Sequence, residues 1–94
     1  MQVSNLTSIC SGHNGWPPRN VVSGSTDVFI ENSGAVRIGD FWEVHCKPDE
    51  GCHGGTSITG SPTVFVNDLS LCRVGDYIDC GSTILTGNLT VFAD

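Results

Sequence analysis

"SGSTDVFIENSGAVRIGDFWEVHC", residues 23–46, lines up with "TGSPTVFVNDLSLCRVGDYIDC", residues 59–80, and a shortened copy, "TGNLTVFAD", occupies residues 86–94. Gly24, Gly60 and Gly87 open the three copies, and Phe29, Phe65 and Phe92 hold the same place in each. Arg37 and Arg73 fall at matching positions, followed by Ile-Gly-Asp and Val-Gly-Asp. A recurrence of this length marks one supersecondary unit copied along the chain, each copy needing its neighbours to bury its apolar face. The organisation expected is one domain over residues 1–94: an N-terminal segment, 1–22, and repeats at about 23–58, 59–85 and 86–94.

Within each unit the local signals are those of strands and turns. "TDVFIE" (26–31) and "PTVFVN" (62–67) are rich in the β-branched and aromatic residues that suit a pleated, half-buried surface. "ENSG" (31–34) and "NDLS" (67–70) have the composition of hairpin turns. Gly39 and Gly75, each followed by Asp, mark a second turn where positive φ is expected. With 12 glycines and no sustained 3.6-residue apolar period, helices are not expected. The fold class predicted is all-β, built from short hairpins. Val28, Ile30, Val64, Val66 and Val91 read as core or interface residues, and Trp16 and Trp42 as packing residues. The pairs Arg37–Asp40 and Arg73–Asp76 read as turn supports without chemistry.

Composition excludes several functions. Ten Asp and Glu stand against four Lys and Arg, the opposite of a nucleic-acid footprint. No run approaches the roughly 18 apolar residues of a membrane-spanning helix. The opening "MQVSNLTSICSGHNG" has neither a basic nor an apolar leader region, so synthesis in a reducing cytoplasm without a signal peptide is expected. Five cysteines are an odd number, which leaves a full disulfide framework with a spare thiol. A domain of 94 residues needs extra bracing, and these facts favour metal over disulfide for at least some of the thiols.

Metal-binding side chains crowd into "HCKPDEGCHGG", residues 45–55. The repeats relate them to others: "GH" at 12–13 precedes the first unit, "CHGG" at 52–55 the second, and "CGST" at 80–83 the third. Three units wrapped about one axis would therefore gather His13, His53 and Cys80, with His45 as a fourth donor. Three imidazoles and a thiolate suit tetrahedral zinc, with iron less favoured. Cys46 and Cys52 each adjoin a histidine; either could replace its neighbour, or the two could pair around "KPDEG". Cys10 is a possible substitute ligand or spare thiol, and Cys72 reads as a small buried hydrophobe. A set of four protein donors is the closed, structural kind. No nucleophile with a general base stands out, and Ser23, Ser25 and Ser61 lie in repeat turns, so an enzyme is not expected. A small zinc-dependent hydrolase and a disulfide-stapled secreted binding module are the alternatives.

The order of these elements, from "SGS" (23–25), "VHC" (44–46) and "CHGG" through "CRVGD" (72–76), "CGST" and "TGNLTVFAD", resembles the PAAR-repeat family in its stand-alone form. The likeness runs from about Cys10 to Asp94. The tetrapeptide that names the family is reduced here to "GAVR" at 34–37 and to the arginine ending "LSLCR" at 69–73. The resemblance implies a small cone of hairpins, metal-stabilised at its apex, that caps and sharpens the spike of a contractile phage tail or type VI secretion system. It implies ligands at His13, His45, His53 and Cys80, and the distal end of a homotrimeric β-helical spike as partner, one cap per trimer. Contact with a target membrane would be transient. Assembly into a virion tail spike, or export on a secretion spike, would follow. The absence of sequence beyond Asp94 favours the phage setting.

Overall fold

Each regular element of the computed structural model, which describes residues 1–94, is half of a two-stranded antiparallel hairpin, and no helix forms. Strand β1 (Phe29–Ile30) pairs with β2 (Ser33–Gly34), β3 (Phe41–Lys47) with β4 (Gly51–Thr56), and β5 (Phe65–Val66) with β6 (Leu69–Ser70). The turns explain the two shortest hairpins. Glu31 and Asn32 have φ of 47° and 71°, and Asn67 and Asp68 have 52° and 64°. Two successive left-handed residues match the twist of tight hairpins, and Asn and Asp tolerate that region better than most.

The three units share one hydrogen-bond scheme. The amides of Ser25 and Ser61 donate to the carbonyls of Ala35 and Leu71, both at 2.7 Å, and that of Asn88 donates to Val3 at 2.8 Å. In return, Ala35, Leu71 and Val3 donate to Val28, Val64 and Val91. Two units thus take both strands from one hairpin. The last takes its second strand from the start of the chain, with Gln2 opposite Phe92. Residues 2–10 do more than lead to a candidate metal ligand: they follow the course that 34–42 and 70–78 take in the other units. Three backbone bonds close the centre. Val36 donates to Ser4 at 3.0 Å, Ser4 to Cys72 at 2.9 Å, and Cys72 to Val36 at 2.9 Å. This triangle satisfies amides that burial would otherwise leave orphaned, without a continuous sheet.

Packing follows the same scheme. Val3, Ala35 and Leu71 join Ile30 and Val66 in one buried cluster, while Cys10, Trp42 and Ile78 join Val21, Val36, Cys72 and Ile84 in another. Val28, Val64 and Val91 remain 37–38% exposed, so of the five aliphatics expected in a core or interface only Ile30 and Val66 lie in the core. Trp42 is buried and donates its indole N–H to Ser57 Oγ. Cys72 is fully buried, and desolvation pushes its thiol pKa up to about 12, the behaviour of a small hydrophobe. Asp40 accepts from the amide, Nε and Nη2 of Arg37, and Asp76 from those of Arg73, so each pair closes its turn. Gly39 and Gly75 supply the positive φ within those turns, at 96° and 93°. In the unit completed by the N-terminus, Asn5 and Ser8 take these places, the Asn5 amide donating to Ser8 Oγ. The whole is elongated, 40 × 22 × 21 Å, and the longest hairpin, β3–β4, builds its apex.

Candidate metal centre

Three local structures bring the apical donors into place. In β3–β4, a register shift between Trp42 and His45 re-aims the strand, leaving His45 directly opposite His53. His13 opens a two-residue turn over Asn14 and Gly15, whose φ values are 43° and 89°, with reciprocal bonds between His13 and Trp16. Cys80 sits in the turn from Ile78 to Ser82, beside Gly81 at φ 102°. The donor atoms of His13, His45, His53 and Cys80 all lie within 4.8 Å of one another, His45 buried and the others half-buried.

The spacing suits an ion. The three Nε2 atoms stand 3.2 Å (His13–His45), 3.0 Å (His13–His53) and 2.8 Å (His45–His53) apart. Metal–nitrogen bonds of about 2.0–2.1 Å in a tetrahedron put neighbouring nitrogens ~3.3 Å apart, close to what is found. His45 Nδ1 lies 2.7 Å from the Pro17 carbonyl, which can only accept. The proton is therefore on Nδ1, and Nε2 turns its lone pair to the centre. The pKa of His13 is lowered by burial and then by the charges of His45 and His53, and that of His53 by burial and then by His45. Both shifts favour the neutral imidazole, the form that binds metal. The four residues could thus hold a metal ion.

Around the cage, Trp16 stacks on His13, ring centroids 5.2 Å apart at 18°, and its other neighbours are His45 and His53. Lys47 covers the outer face of Trp16, its Nζ 4.9 Å from the ring, and donates to the Asn14 carbonyl. Trp16 is thus a packing residue whose packing partners are the donors themselves.

The three possible substitutes do not join the cage. Cys10 is fully buried in the hydrophobic core. It follows Ile9 as Trp42 follows Phe41 and Ile78 follows Tyr77, where the amides of Ile9, Phe41 and Tyr77 make equivalent bonds to Thr86, Ser23 and Thr59. A residue at that place points into the core whatever its type. Cys46 and Cys52 form a disulfide across β3–β4, one register step beyond the histidine pair, so neither sulfur is available as a thiolate. The chain thereby combines a staple with a metal-competent cage, where sequence favoured metal.

Two participants escape a sequence reading. The Pro17 carbonyl has no sequence signature. Arg19, which donates through Nη2 to Cys80 Sγ at 2.9 Å, could have been noticed as the one arginine outside the repeated Arg-x-Gly-Asp turns.

With this geometry in hand, comparison with known proteins finds a family model, described as the PAAR motif, that matches residues 11–86. No curated protein matches the chain.

Proposed function

This chain belongs to the PAAR-motif family of spike-tip proteins, and we propose that it is the metal-braced point of a contractile injection machine, a phage tail or a type VI secretion system. The observation that carries the reading is the closed set of donors from His13, His45, His53 and Cys80. Four protein ligands leave no position for a reactive water, so the metal's role is to cross-link. Three neutral nitrogens and one thiolate favour zinc, with iron(II) second. A structural zinc contributes on the order of 10 kcal/mol to folding, comparable with the whole stability of a small domain. That bracing falls at the apex, where few residues are available to pack, and it suits a point driven briefly through a target envelope.

The other requirement of a tip is a partner. A homotrimeric β-helical spike offers three equivalent faces, and a monomer must answer with three similar ones. Phe29, Phe65 and Phe92 are 59%, 57% and 61% exposed. Val22, Ile58 and Leu85, each two residues before a unit's glycine, are 58%, 50% and 55% exposed. Outward-facing apolar side chains repeated in this way suit burial against a trimer, one cap per spike. On this reading the chain is made in the host cytoplasm and assembled onto the distal end of the spike.

The experiment is co-purification with the cognate spike, with subunit ratio read by native mass spectrometry and metal by elemental analysis. One cap and one metal ion per spike trimer is expected. Three caps per trimer, or protein never exposed to chelator that carries no transition metal, would overturn it.

A further inference from the structure

We propose that Arg19 is a positioning residue of the metal centre, holding the sulfur of Cys80 against the open side of the histidine triangle and drawing charge from it. The inference rests on the reading of the cage as a metal site and adds to it a residue outside the ligand set. Arg19 is only 5% exposed. Its Nη2 donates to Cys80 Sγ at 2.9 Å, its Nη1 to the His53 carbonyl at 3.4 Å, and its buried Nε has no partner. Burying a guanidinium is costly without an anion beside it. The molecule's ion pairs, Arg37–Asp40, Lys47–Glu50 and Arg73–Asp76, leave Arg19 out. The group it meets that becomes an anion is Cys80, as a metal-bound thiolate.

The backbone makes room for this contact. A Cβ on Gly55 of β4 would stand 2.2 Å from Arg19 Nη2 and 2.6 Å from Ile78 Cγ2. Glycine at this place in "CHGG" therefore opens the slot through which the guanidinium reaches the sulfur. A divalent ion with three neutral imidazoles and one thiolate is net positive as a whole, so the counter-charge that Arg19 meets is the local one on the Cys80 sulfur. Its two contacts, one to Cys80 and one to the backbone of His53, tie two donors to each other. The hydrogen bond also lowers electron donation from sulfur to metal, because the N–H competes for the same sulfur lone pairs.

The test uses the full chain, stripped of metal and loaded with cobalt(II) chloride, and follows the sulfur-to-cobalt charge-transfer band. In Arg19→Met the band should move to lower energy, because the thiolate loses its donor, and in Arg19→Lys it should lie between that position and the wild-type one. Gly55→Ala, which displaces the guanidinium without removing it, should move the band in the same direction. A loss of stability alone leaves the band where it is. An unmoved band in both Arg19→Met and Gly55→Ala overturns the role of Arg19 and leaves the metal site standing. A wild-type cobalt complex with no thiolate band overturns both, since Cys80 is then not a ligand.

Discussion

The amide of Val3 donates to the carbonyl of Val91 at 3.1 Å, so the two end segments of the chain are partners in one unit. Removing either end should then do the same damage. Deleting residues 86–94 takes away Val91 and Asn88, and deleting 1–4 takes Ser4 from the central amide triangle. Both truncated chains should lose cooperative thermal unfolding and spike binding. Either one keeping a sharp transition in calorimetry would show that the third unit does not need both ends of the chain.

The metal should dominate stability. Chelation should lower the melting temperature markedly, and His53→Ala should cost several times what Cys72→Ser costs. The first removes a donor from a centre worth on the order of 10 kcal/mol. The second places a hydroxyl where a buried thiol lay against the Thr59 carbonyl at 3.4 Å, a change of about 1–2 kcal/mol. Denaturant titration of the two variants decides the order, and the reverse order would mean that core has been mistaken for ligand.

The Arg73–Asp76 turn makes a prediction in pH. Burial raises the Asp76 pKa, but hydrogen bonds from Arg73 and Thr59 outweigh it and hold the carboxyl below its ordinary 3.8. A depressed carboxylate stabilises the fold above pH 3.8, and that contribution is lost as pH falls below 3.8 through the folded-state value. Asp76→Asn should cost about 3 kcal/mol near neutrality, because it strands Arg73, and should flatten the stability profile in that acid window. The double change Arg73→Asn with Asp76→Ser copies the Asn5–Ser8 arrangement and should cost less than Asp76→Asn alone. Urea unfolding across the acid range reads both.

Reducing the Cys46–Cys52 staple should loosen the apex without dissolving the cage. The bridge closes a short loop, with a sequence separation of 6, for which chain entropy gives about 2 kcal/mol. Cys46→Ser with Cys52→Ser should therefore lower stability by roughly that amount while leaving one metal per chain. Loss of the metal along with the disulfide, seen by elemental analysis, would make the staple part of the site.

Much of this protein was legible in the residues alone. The repeated Gly, Phe and Arg-x-Gly-Asp positions, with the turn residues of "ENSG" and "NDLS", specified short hairpins, because those signals act within a few residues of chain. The positions of His13, His45, His53 and Cys80 relative to the repeats were enough to suggest that they meet, which they do within 4.8 Å. What only the folded chain decided is long-range. "MQVSNLTSIC" shares almost no residue with "GAVRIGDFW" or "LCRVGDYI", yet it takes their place, because the central amides need a third strand and backbone bonds are blind to side chains. That placement sends Cys10 into the core. The opposition of Cys46 and Cys52 depends on the register of β3 and β4, and the contact of Arg19 with Cys80 spans 61 residues. The disulfide is a local pairing that the residues left open among alternatives. The Arg19–Cys80 contact leaves no local pattern, because it comes from where the three units place the ends of their loops.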